Sequence, residues 1–267
     1  MTDRYAVIGN PVAHSKSPWI HAEFARQTRQ DLEYLRIEAP LAGFARTVDE
    51  FRAAGGRGAN VSLPFKEQAY LYCQNAVTQR ARAVGVVNTL VFENGKARGD
   101  NTDGVGLLRD LTINLGRAIA GKRVLLMGAG GAAQGVLAPL IEARPRRLVV
   151  ANRTAEKARA LAERYGASAG GGYSEFRGEQ FDVLINATSA GLAGEAPPLA
   201  RKAFAPAALG YELVYGRETP FLAMARAAGA HACDGSGMLV EQAAESFLLW
   251  RGLRPDTAPA LAALRGG

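Results

Sequence analysis

The sequence is poor in the residues that build disulfide frameworks and metal centres. Its 267 residues include two cysteines and three histidines. Cys73 and Cys233 lie far apart and match no metal-ligand spacing, so no metal site is predicted. Two isolated cysteines suit a reducing compartment, and we predict a cytoplasmic protein.

Long apolar runs are also missing. No stretch approaches the roughly 20 apolar residues that a bilayer-spanning helix needs. The apolar run inside the opening MTDRYAVIGNP is too short for a secretion signal, and no cleavage pattern follows it. We therefore expect no membrane partner.

Blocks of like charge are absent as well, although the net charge is +7. The basic residues are dispersed, and most of them are arginines. Such a balance favours simple solubility first and attraction of an anionic substrate and cofactor second. Nucleic acid ranks a distant third, and no nucleic-acid partner is predicted.

Strand-like and helix-like segments alternate along almost the whole chain, which predicts an α/β fold with mostly parallel strands. The Asn94-Gly95 pair between apolar runs predicts a β-hairpin over 85–98. The small residues Ala167–Gly172 are interpreted as a loop. Helices are predicted over 18–28, 41–54, 65–74, 103–116 and 238–251.

The most informative segment begins with KRVLLM, a strand pattern that runs directly into a glycine-rich turn and an amphipathic helix. The turn has the form G-x-G-x-x-A, typical of dinucleotide-binding units. Gly128 permits the tight turn, Gly130 lets backbone N–H groups approach a pyrophosphate, and Ala133 lets the helix pack closely. The predicted phosphate-binding residues are Gly128, Ala129, Gly130, Gly131, Ala132 and Ala133.

The next strand, RRLVVA, ends where an NAD-binding unit usually places a carboxylate for the ribose. This chain has Asn152, Arg153 and Thr154 there, followed by Lys157. An arginine can pair with a 2′-phosphate, which a carboxylate would repel. The pattern therefore predicts NADP over NAD. In the alternative interpretation, Arg153 is an exposed loop residue and Thr154 a helix N-cap.

Several motifs, in this order, resemble those of shikimate dehydrogenases. Together HSKSP, NVSLPFK and NTDG are highly specific, whereas the glycine-rich turn alone is not. The matching stretches are IGNPVAHSKSP (8–18), NVSLPFK (60–66), VNTLV (87–91), GDNTDGVG (99–106), MGAGGAA (127–133), NRT (152–154), NATSAG (186–191), YELVYGRETPFL (211–222) and GSGMLVEQA (235–243).

The resemblance implies two α/β domains with the substrate in the cleft between them. Residues 1–102 would form the substrate domain, with the C-terminal segment 238–267 packing back on it. Residues 103–237 would form a Rossmann-type, doubly wound NADP-binding domain. The implied reaction is the reversible NADPH reduction of 3-dehydroshikimate to shikimate, a step in chorismate and aromatic amino-acid biosynthesis, by a monomer or homodimer.

The resemblance also implies the substrate-binding residues. Two serine hydroxyls, on Ser15 and Ser17, would donate to the substrate carboxylate, although Ser17 could equally cap a helix beginning at Pro18. The remaining neutral groups would bind the ring hydroxyls, although for Asn60 and Asn88 loop hydrogen bonding is at least as good an interpretation. The groups for the ring hydroxyls are Asn60, Ser62, Asn88 and Gln242, and the resemblance also implies substrate contacts by Tyr215, Lys66 and Asp103.

Lys66 and Asp103 match the catalytic pair of the resembled family. Reduction of a ketone builds negative charge on oxygen, so a proton donor must stand beside it. The ammonium of Lys66 would donate, and the carboxylate of Asp103 would orient it. Alternatively, Lys66 is a solvated helix lysine and Asp103 a helix cap or turn residue.

Further cofactor contacts are implied at the ends of later strands. Met238 would pack against the nicotinamide, or would otherwise be a core residue. The chain departs from the family pattern at Glu212, where Asp is common, at Ser236, where Leu is common, and at Lys157, where many relatives have Arg. The implied contacts are Asn186, Ala187, Thr188, Ser189, Val214, Gly235 and Met238.

Three other functions fit parts of the pattern. The chain could be a quinate/shikimate dehydrogenase with broader substrate or NAD use, which the lack of an acidic residue near Arg153 opposes. It could be a noncatalytic NADP(H)-sensing module, which the presence of both Lys66 and Asp103 opposes. It could also be a two-domain reductase acting on a folate, whereas Ser15 and Ser17 favour a small carboxylate.

Overall fold

A computed structural model describes residues 2–266, with the side chains of all except Leu192 and Gly266. The chain forms two compact units, Met1–Gly106 with Leu239–Gly267, and Leu107–Met238. The first unit extends past the predicted boundary at 102, so Asp103 belongs to it rather than to the second unit. Met1 and Gly267, which end the predicted domain segments, lie outside the described residues.

The first unit is built on a five-stranded mixed sheet in the order β2-β1-β3-β4-β5. Strand β1 pairs in parallel with β2 and β3, whereas β4 is antiparallel to both β3 and β5. The predicted hairpin is confirmed, since β4 and β5 turn at Asn94 and Gly95, both with positive φ. The strands are β1 (Asp3–Gly9), β2 (Leu32–Glu38), β3 (Gly56–Val61), β4 (Thr89–Glu93) and β5 (Lys96–Asp100).

Helices follow the strands of this sheet. The first begins at Ser17 itself, with Lys16 at the cap position and no side-chain cap bond, so the N-cap interpretation of Ser17 is wrong. The predicted helix 103–116 becomes an α-helix that continues as the π-helix Asp110–Asn114. The helices are α1 (Ser17–Thr28), α2 (Phe44–Ala53), α3 (Lys66–Tyr72), α4 (Gln79–Val84) and α5 (Asp103–Arg109).

The second unit is built on a six-stranded parallel sheet in the order β11-β10-β9-β6-β7-β8. The chain starts in the middle at β6, adds strands outward on one side, and then crosses back to β9. This is the doubly wound order, with its switch point between β6 and β9. The strands are β6 (Arg123–Met127), β7 (Arg147–Ala151), β8 (Ala169–Gly171), β9 (Phe181–Asn186), β10 (Phe204–Glu212) and β11 (His231–Cys233).

The loop predicted at Ala167–Gly172 is wrong, because Ala169–Gly171 forms β8 and pairs with β7. The small residues serve close packing against a neighbouring helix. A Cβ added at Gly170 would lie 2.3 Å from the backbone oxygen of Ala158. Three helices complete this part of the unit: α6 (Gly131–Glu142), α7 (Ala155–Tyr165) and α8 (Pro220–Ala227).

Two helices end the chain, α9 (Ser236–Arg251) and α10 (Ala258–Gly266), of which only α9 was predicted. From Leu239 onward the chain belongs to the first unit. There, Val240 and Phe247 of α9 pack with Ile20 and Phe24 of α1 in a fully buried cluster. In the part of the chain that the structure describes, no helix has the length and apolarity needed to cross a bilayer.

Candidate active site and cofactor site

The predicted polar residues of the first unit gather at one edge of its sheet. Ser15 comes after β1, Ser62 follows β3, and Asp103 comes after β5. Asn88 directly precedes β4, which runs antiparallel to β3. Because the end of one strand meets the start of an antiparallel neighbour, all four positions share this edge.

Lys66 and Asp103 form an ion pair at this edge. Lys66 Nζ donates to Asp103 Oδ2 at 2.6 Å, and the two side chains are 14% and 6% exposed. The solvated-lysine interpretation is therefore wrong. Asp103 is the first residue of α5, and Asn88 Nδ2 donates to its other oxygen at 2.9 Å. Asn101 accepts from the backbone N–H of Asp103.

Asn88 is held by hydrogen bonds on both ends of its amide. Its Oδ1 accepts from the backbone N–H of Thr102 at 2.8 Å and from Thr89 Oγ1 at 2.9 Å. Its Nδ2 donates to Asp103, to Thr102 Oγ1 at 2.9 Å and to Gln242 Oε1 at 3.3 Å. These contacts fix which end of the amide faces Asp103, and they place the half-buried Gln242 beside it.

Asn60 lies deeper in the same network. Its Nδ2 donates to Thr89 Oγ1 at 3.1 Å and to Ser246 Oγ at 2.9 Å, and its Oδ1 accepts from Tyr34 at 2.7 Å. Asn60 is only 6% exposed. These contacts favour the interpretation of Asn60 as an interior hydrogen-bonding residue, and its contact with substrate stays a prediction.

Ser15 and Ser17 are both buried, and Ser15 Oγ accepts from the backbone N–H of Ser17 at 3.2 Å. The exposed Arg36 of β2 supports this turn, because its Nε and Nη2 donate to the Ser15 carbonyl at 3.0 and 2.7 Å. No sequence pattern singles out Arg36 among the many arginines of the chain. Its place beside the two serines follows from the pairing of β1 with β2.

His21 of α1 is a second residue that no sequence pattern indicated. Its ring stacks on Tyr34 with centroids 4.3 Å apart, and it is fully buried. Within the described residues, no hydrogen-bond partner reaches either ring nitrogen. Burial lowers the pKa of His21 from the usual 6.5 to about 3, and the nearby Asn60 opposes this only in part.

The glycine-rich turn after β6 has a shape that suits a dinucleotide phosphate. Gly128 has a φ of 110°, and a Cβ added there would lie 2.9 Å from the oxygen of Ala187. A Cβ at Gly130 would meet no atom within 4 Å. Gly130 caps α6 without a side chain, which leaves the N-terminal N–H groups of α6 accessible to an anion. Ala133, in the first turn of α6, is buried.

The end of β7 presents positive charge. Arg153, Thr154 and Lys157 are exposed, and among residues 2–266 no carboxylate forms an ion pair with either cation. Thr154 occupies the cap position of α7, but its side chain makes no cap bond, so that interpretation is wrong for the hydroxyl. Asn152 donates to the Thr154 carbonyl at 3.1 Å. These residues fit a 2′-phosphate.

The ends of β9 and β10 carry the remaining cofactor candidates. Asn186 is buried and donates to Glu212 Oε2 at 2.7 Å, while its Oδ1 accepts from Thr188. Ala187 donates its N–H to the Met127 carbonyl at 2.8 Å, which ties this loop to the end of β6. Ser189 follows in the same loop.

Two further candidates lie near the start of α9. A Cβ at Gly235 would come within 2.3 Å of the Leu213 oxygen, so this position requires glycine. Met238 is 9% exposed and packs in the apolar core of the second unit, and its N–H donates to the Tyr211 hydroxyl at 3.2 Å. Val214 and Tyr215 are half-buried in the loop after β10.

Three family models match successive parts of the chain. They are the shikimate dehydrogenase substrate binding domain over residues 7–90, shikimate / quinate 5-dehydrogenase over 111–193, and the shikimate 5'-dehydrogenase C-terminal domain over 235–265. The chain belongs to the shikimate dehydrogenase family. The family predicted from the sequence motifs is thus confirmed.

Relatives and solved structures match nearly the whole chain. A shikimate dehydrogenase (NADP(+)) of Dechloromonas aromatica is 56% identical over 270 residues, covering 99% of this chain and 98% of the relative. The crystal structure of an Ael1 enzyme from Pseudomonas putida matches with a TM-score of 0.93 and 47% identity, covering 98% of each chain.

A third match carries ligands. Shikimate 5-dehydrogenase from Thermus thermophilus, in complex with NADP(H) and shikimate, has a TM-score of 0.90 and 36% identity, covering 99% of each chain. The parallel, doubly wound second sheet and these shikimate dehydrogenase neighbours together confirm the predicted α/β fold class with a Rossmann-type unit.

Proposed function

We propose that this chain is an NADP-dependent shikimate dehydrogenase that reversibly reduces 3-dehydroshikimate to shikimate, a step in chorismate and aromatic amino-acid biosynthesis. The observation that carries the proposal is the Lys66–Asp103 ion pair at 2.6 Å. The relative from Dechloromonas aromatica is a shikimate dehydrogenase (NADP(+)), which agrees with the activity and cofactor predicted from the sequence.

The first unit supplies the acid–base chemistry. NADPH, when bound, provides the hydride that reduces the substrate ketone. As negative charge grows on the ketone oxygen, the Lys66 ammonium donates a proton to it, and in the reverse direction the Lys66 amine accepts that proton. Asp103 holds the ammonium in place, and Asn88 holds Asp103 by donating to its Oδ1 at 2.9 Å. Lys66 and Asp103 are the proposed catalytic residues.

The remaining polar residues would bind the substrate. Ser15 and Ser17 donate to its carboxylate, and Arg36 keeps the turn between them in shape through the Ser15 carbonyl. Neutral donors and acceptors suit the ring hydroxyls, because each hydroxyl both donates and accepts. The proposed neutral groups are Asn60, Ser62, Asn88, Tyr215 and Gln242. The charged pair Lys66 and Asp103 would contact the substrate as well.

The second unit would hold the cofactor. Residues 128–133 would bind the pyrophosphate through backbone N–H groups at the start of α6. Arg153 and Lys157, with Asn152 and Thr154, would bind the 2′-phosphate. Nearer the nicotinamide we place Asn186, Ala187, Thr188, Ser189, Val214, Gly235 and Met238. The first unit, which includes Asp103, would act as the substrate domain, and the second unit, Leu107–Met238, as the NADP domain.

Initial rates with shikimate and NADP, compared with shikimate and NAD and with quinate and either cofactor, test the proposal. We expect shikimate with NADP to give the highest kcat/KM by at least about tenfold. Comparable efficiency with quinate and NAD would favour the broader quinate/shikimate dehydrogenase. NADPH binding without any turnover of 3-dehydroshikimate would favour a sensing module instead.

We also propose that the enzyme works in the cytoplasm as a monomer or homodimer. The chain has only two cysteines, Cys73 and Cys233, far apart in the sequence, which supports a reducing compartment. Light scattering of the purified chain would distinguish monomer from dimer.

A further inference from the structure

Glu212, the last residue of β10, carries a fully buried carboxylate. Burial raises the pKa of Glu212, while hydrogen bonds from Val214, Asn186 and Thr219 oppose that rise. In the described part of the chain, no lysine or arginine forms an ion pair with it. Since burying a carboxylate away from cations is costly, its hydrogen bonds must account for its place in the fold.

Those hydrogen bonds come from three separate segments. Oε2 accepts from Asn186 Nδ2 at 2.7 Å and from Thr219 Oγ1 at 3.1 Å. Oε1 accepts from the backbone N–H of Val214 at 3.2 Å. The carboxylate therefore joins the end of β9, the loop after β10 and the N-cap of α8 at one point.

The carboxylate also sets the orientation of the Asn186 amide. An ionised carboxylate only accepts, so Asn186 must turn its Nδ2 toward Glu212. Its Oδ1 then faces Thr188, where it accepts from the backbone N–H at 3.2 Å and from Oγ1 at 2.8 Å. Thr188 Oγ1 in turn accepts from the N–H of Ala190 at 3.3 Å. Glu212 thus fixes the donor and acceptor of every hydrogen bond in the series that runs through Asn186 and Thr188 to Ala190. We call this series the relay.

The relay shapes a loop that lies against the glycine-rich turn. Ala187 donates to the Met127 carbonyl at 2.8 Å. A Cβ at Gly128 would lie 2.9 Å from the Ala187 oxygen. The loop 187–190 therefore flanks Gly128 at the switch point between β6 and β9, where an open parallel sheet binds its ligand.

We propose that Glu212 is a positioning residue for the cofactor. Through Asn186 it holds the loop 187–190 in the shape that receives NADP(H), without touching the cofactor itself. Holding the loop before binding lowers the entropic cost of ordering it when the dinucleotide arrives. The inference rests on the proposed NADP-dependent function.

A pair of substitutions that reverses the hydrogen-bond direction tests this role. In Glu212→Gln, the new NH₂ competes with the donors of Asn186, Thr219 and Val214, so the relay is broken. In Asn186→Asp, two carboxylates face each other. In the double variant, the introduced glutamine NH₂ can donate to the introduced aspartate carboxylate, whose second oxygen still accepts from Thr188. The double variant therefore restores the relay with its groups exchanged.

Thr219→Val is the matched control. It removes a donor to the same carboxylate, but the donor belongs to the N-cap of α8, so the hydrogen bonds from Asn186 to Glu212 and from Thr188 to Asn186 are left in place. Because Thr219 Oγ1 also accepts from the Leu222 N–H as the N-cap of α8, this variant should lower Tm by about 2–4 °C. We expect its affinity for NADPH to stay within about twofold of the unmodified chain.

The readouts are NADPH fluorescence titration without substrate, the KM for NADP and for shikimate, and Tm, with titrations and kinetics run well below the Tm of each variant. We expect Glu212→Gln and Asn186→Asp each to weaken NADPH binding about tenfold. The KM for NADP should rise in parallel, while the KM for shikimate stays within about twofold. The double variant should recover most of the lost affinity.

A Glu212→Gln protein with lower Tm but unchanged NADPH affinity would overturn the proposal and leave only a structural role. So would a double variant as weak as either single one. If Glu212→Gln does not fold, Asn186→Ser breaks the same relay and must weaken NADPH binding in the same way. An unmodified chain that binds no NADPH overturns the cofactor assignment and this inference together, whereas NADPH binding without turnover contradicts the proposed activity alone.

Discussion

Lys66 Nζ and Asp103 Oδ2 lie 2.6 Å apart, although the two residues are 37 positions apart along the chain. Each is the first residue of its helix, Lys66 of α3 and Asp103 of α5. The edge of one sheet brings the two helix starts together, so the pair is set by strand order and not by local sequence. Its chemistry can be tested residue by residue.

Replacing Lys66 separates proton donation from charge. Lys66→Ala should lower kcat by roughly 100-fold or more, because a positioned acid–base group is lost, while NADPH affinity stays nearly unchanged. Lys66→Arg keeps the positive charge but is a poor acid. If Lys66 mainly donates a proton, the arginine variant will be as slow as the alanine variant in steady-state assays.

An arginine variant with most of the activity would mean that Lys66 acts chiefly as a charge holding the substrate oxygen. Lys96→Ala on the exposed start of β5 is the control and should behave as the unmodified enzyme. Unchanged turnover in Lys66→Ala would remove Lys66 from the mechanism.

Arg153 should discriminate between the two nicotinamide cofactors. In Arg153→Ala the KM for NADP should rise about 10- to 100-fold, since hydrogen bonds between charged groups are lost. The KM for NAD, which has no 2′-phosphate, should change little. Arg146→Ala, an exposed arginine before the start of β7, is the control. An equal loss for both cofactors would reject the phosphate role.

The two glycines of the turn after β6 should fail in different ways. Gly130→Ala adds a methyl that meets no protein atom within 4 Å, so Tm should hold while NADPH binding falls at least about tenfold. Gly128→Ala combines a φ of 110° with a contact to the Ala187 oxygen, and should cost about 1–3 kcal/mol of unfolding free energy.

Calorimetry and NADPH titration on both glycine variants decide the point. A Gly130→Ala protein that binds NADPH normally would show that no phosphate approaches this backbone. A Gly128→Ala protein with an unchanged Tm would show that the turn relaxes freely.

His21 should make the protein sensitive to mild acid. Its pKa is about 3 in the folded protein against the usual 6.5, so the unfolded chain binds more protons between these values. Stability therefore falls as pH decreases below 6.5, by about 2 kcal/mol at pH 5 from this residue alone. His21→Phe should lack this contribution.

Urea unfolding of His21→Phe and of the unmodified chain at pH 7.5 and pH 5 measures the effect. The difference in unfolding free energy between the two proteins should shift by about 2 kcal/mol in favour of the variant at pH 5. His231→Gln, at an exposed position of β11, should show no such shift. If the unfolding free energies of His21→Phe and of the unmodified chain change equally between pH 7.5 and pH 5, the imidazole of His21 is not buried in its neutral form.

The sequence predicts most strands because each rests on a local signal, and it predicts the importance of Lys66 and Asp103 because both lie in motifs that resemble a known family. Strand β6 runs directly into Gly128, and Lys66 lies inside a specific motif. The misses depend on contacts between distant segments. The strand Ala169–Gly171 looks like a loop until α7 packs against Gly170. The hydrogen bonds of Asn60 with Tyr34 and Ser246 could not be predicted either, and its contact with substrate stays a prediction.

Glu212 shows the same limit. The sequence shows only that Glu212 stands where Asp is common in the family. Its role depends on hydrogen-bond donors from Asn186, Val214 and Thr219, which come together only in the folded protein. Arg36 is similar, because nothing near it in sequence points to the Ser15 carbonyl.

The polar network behind Asp103 has a consequence for anyone who alters this enzyme's substrate range. Asn60, Thr89, Thr102 and Ser246 share hydrogen bonds, and several of their hydroxyls can act as donor or acceptor. Changing one member leaves donors or acceptors of its neighbours without a matching partner. The free-energy effects of single substitutions will therefore not be additive. Redesign at this edge of the sheet will succeed only when these four positions are varied together in the same variants.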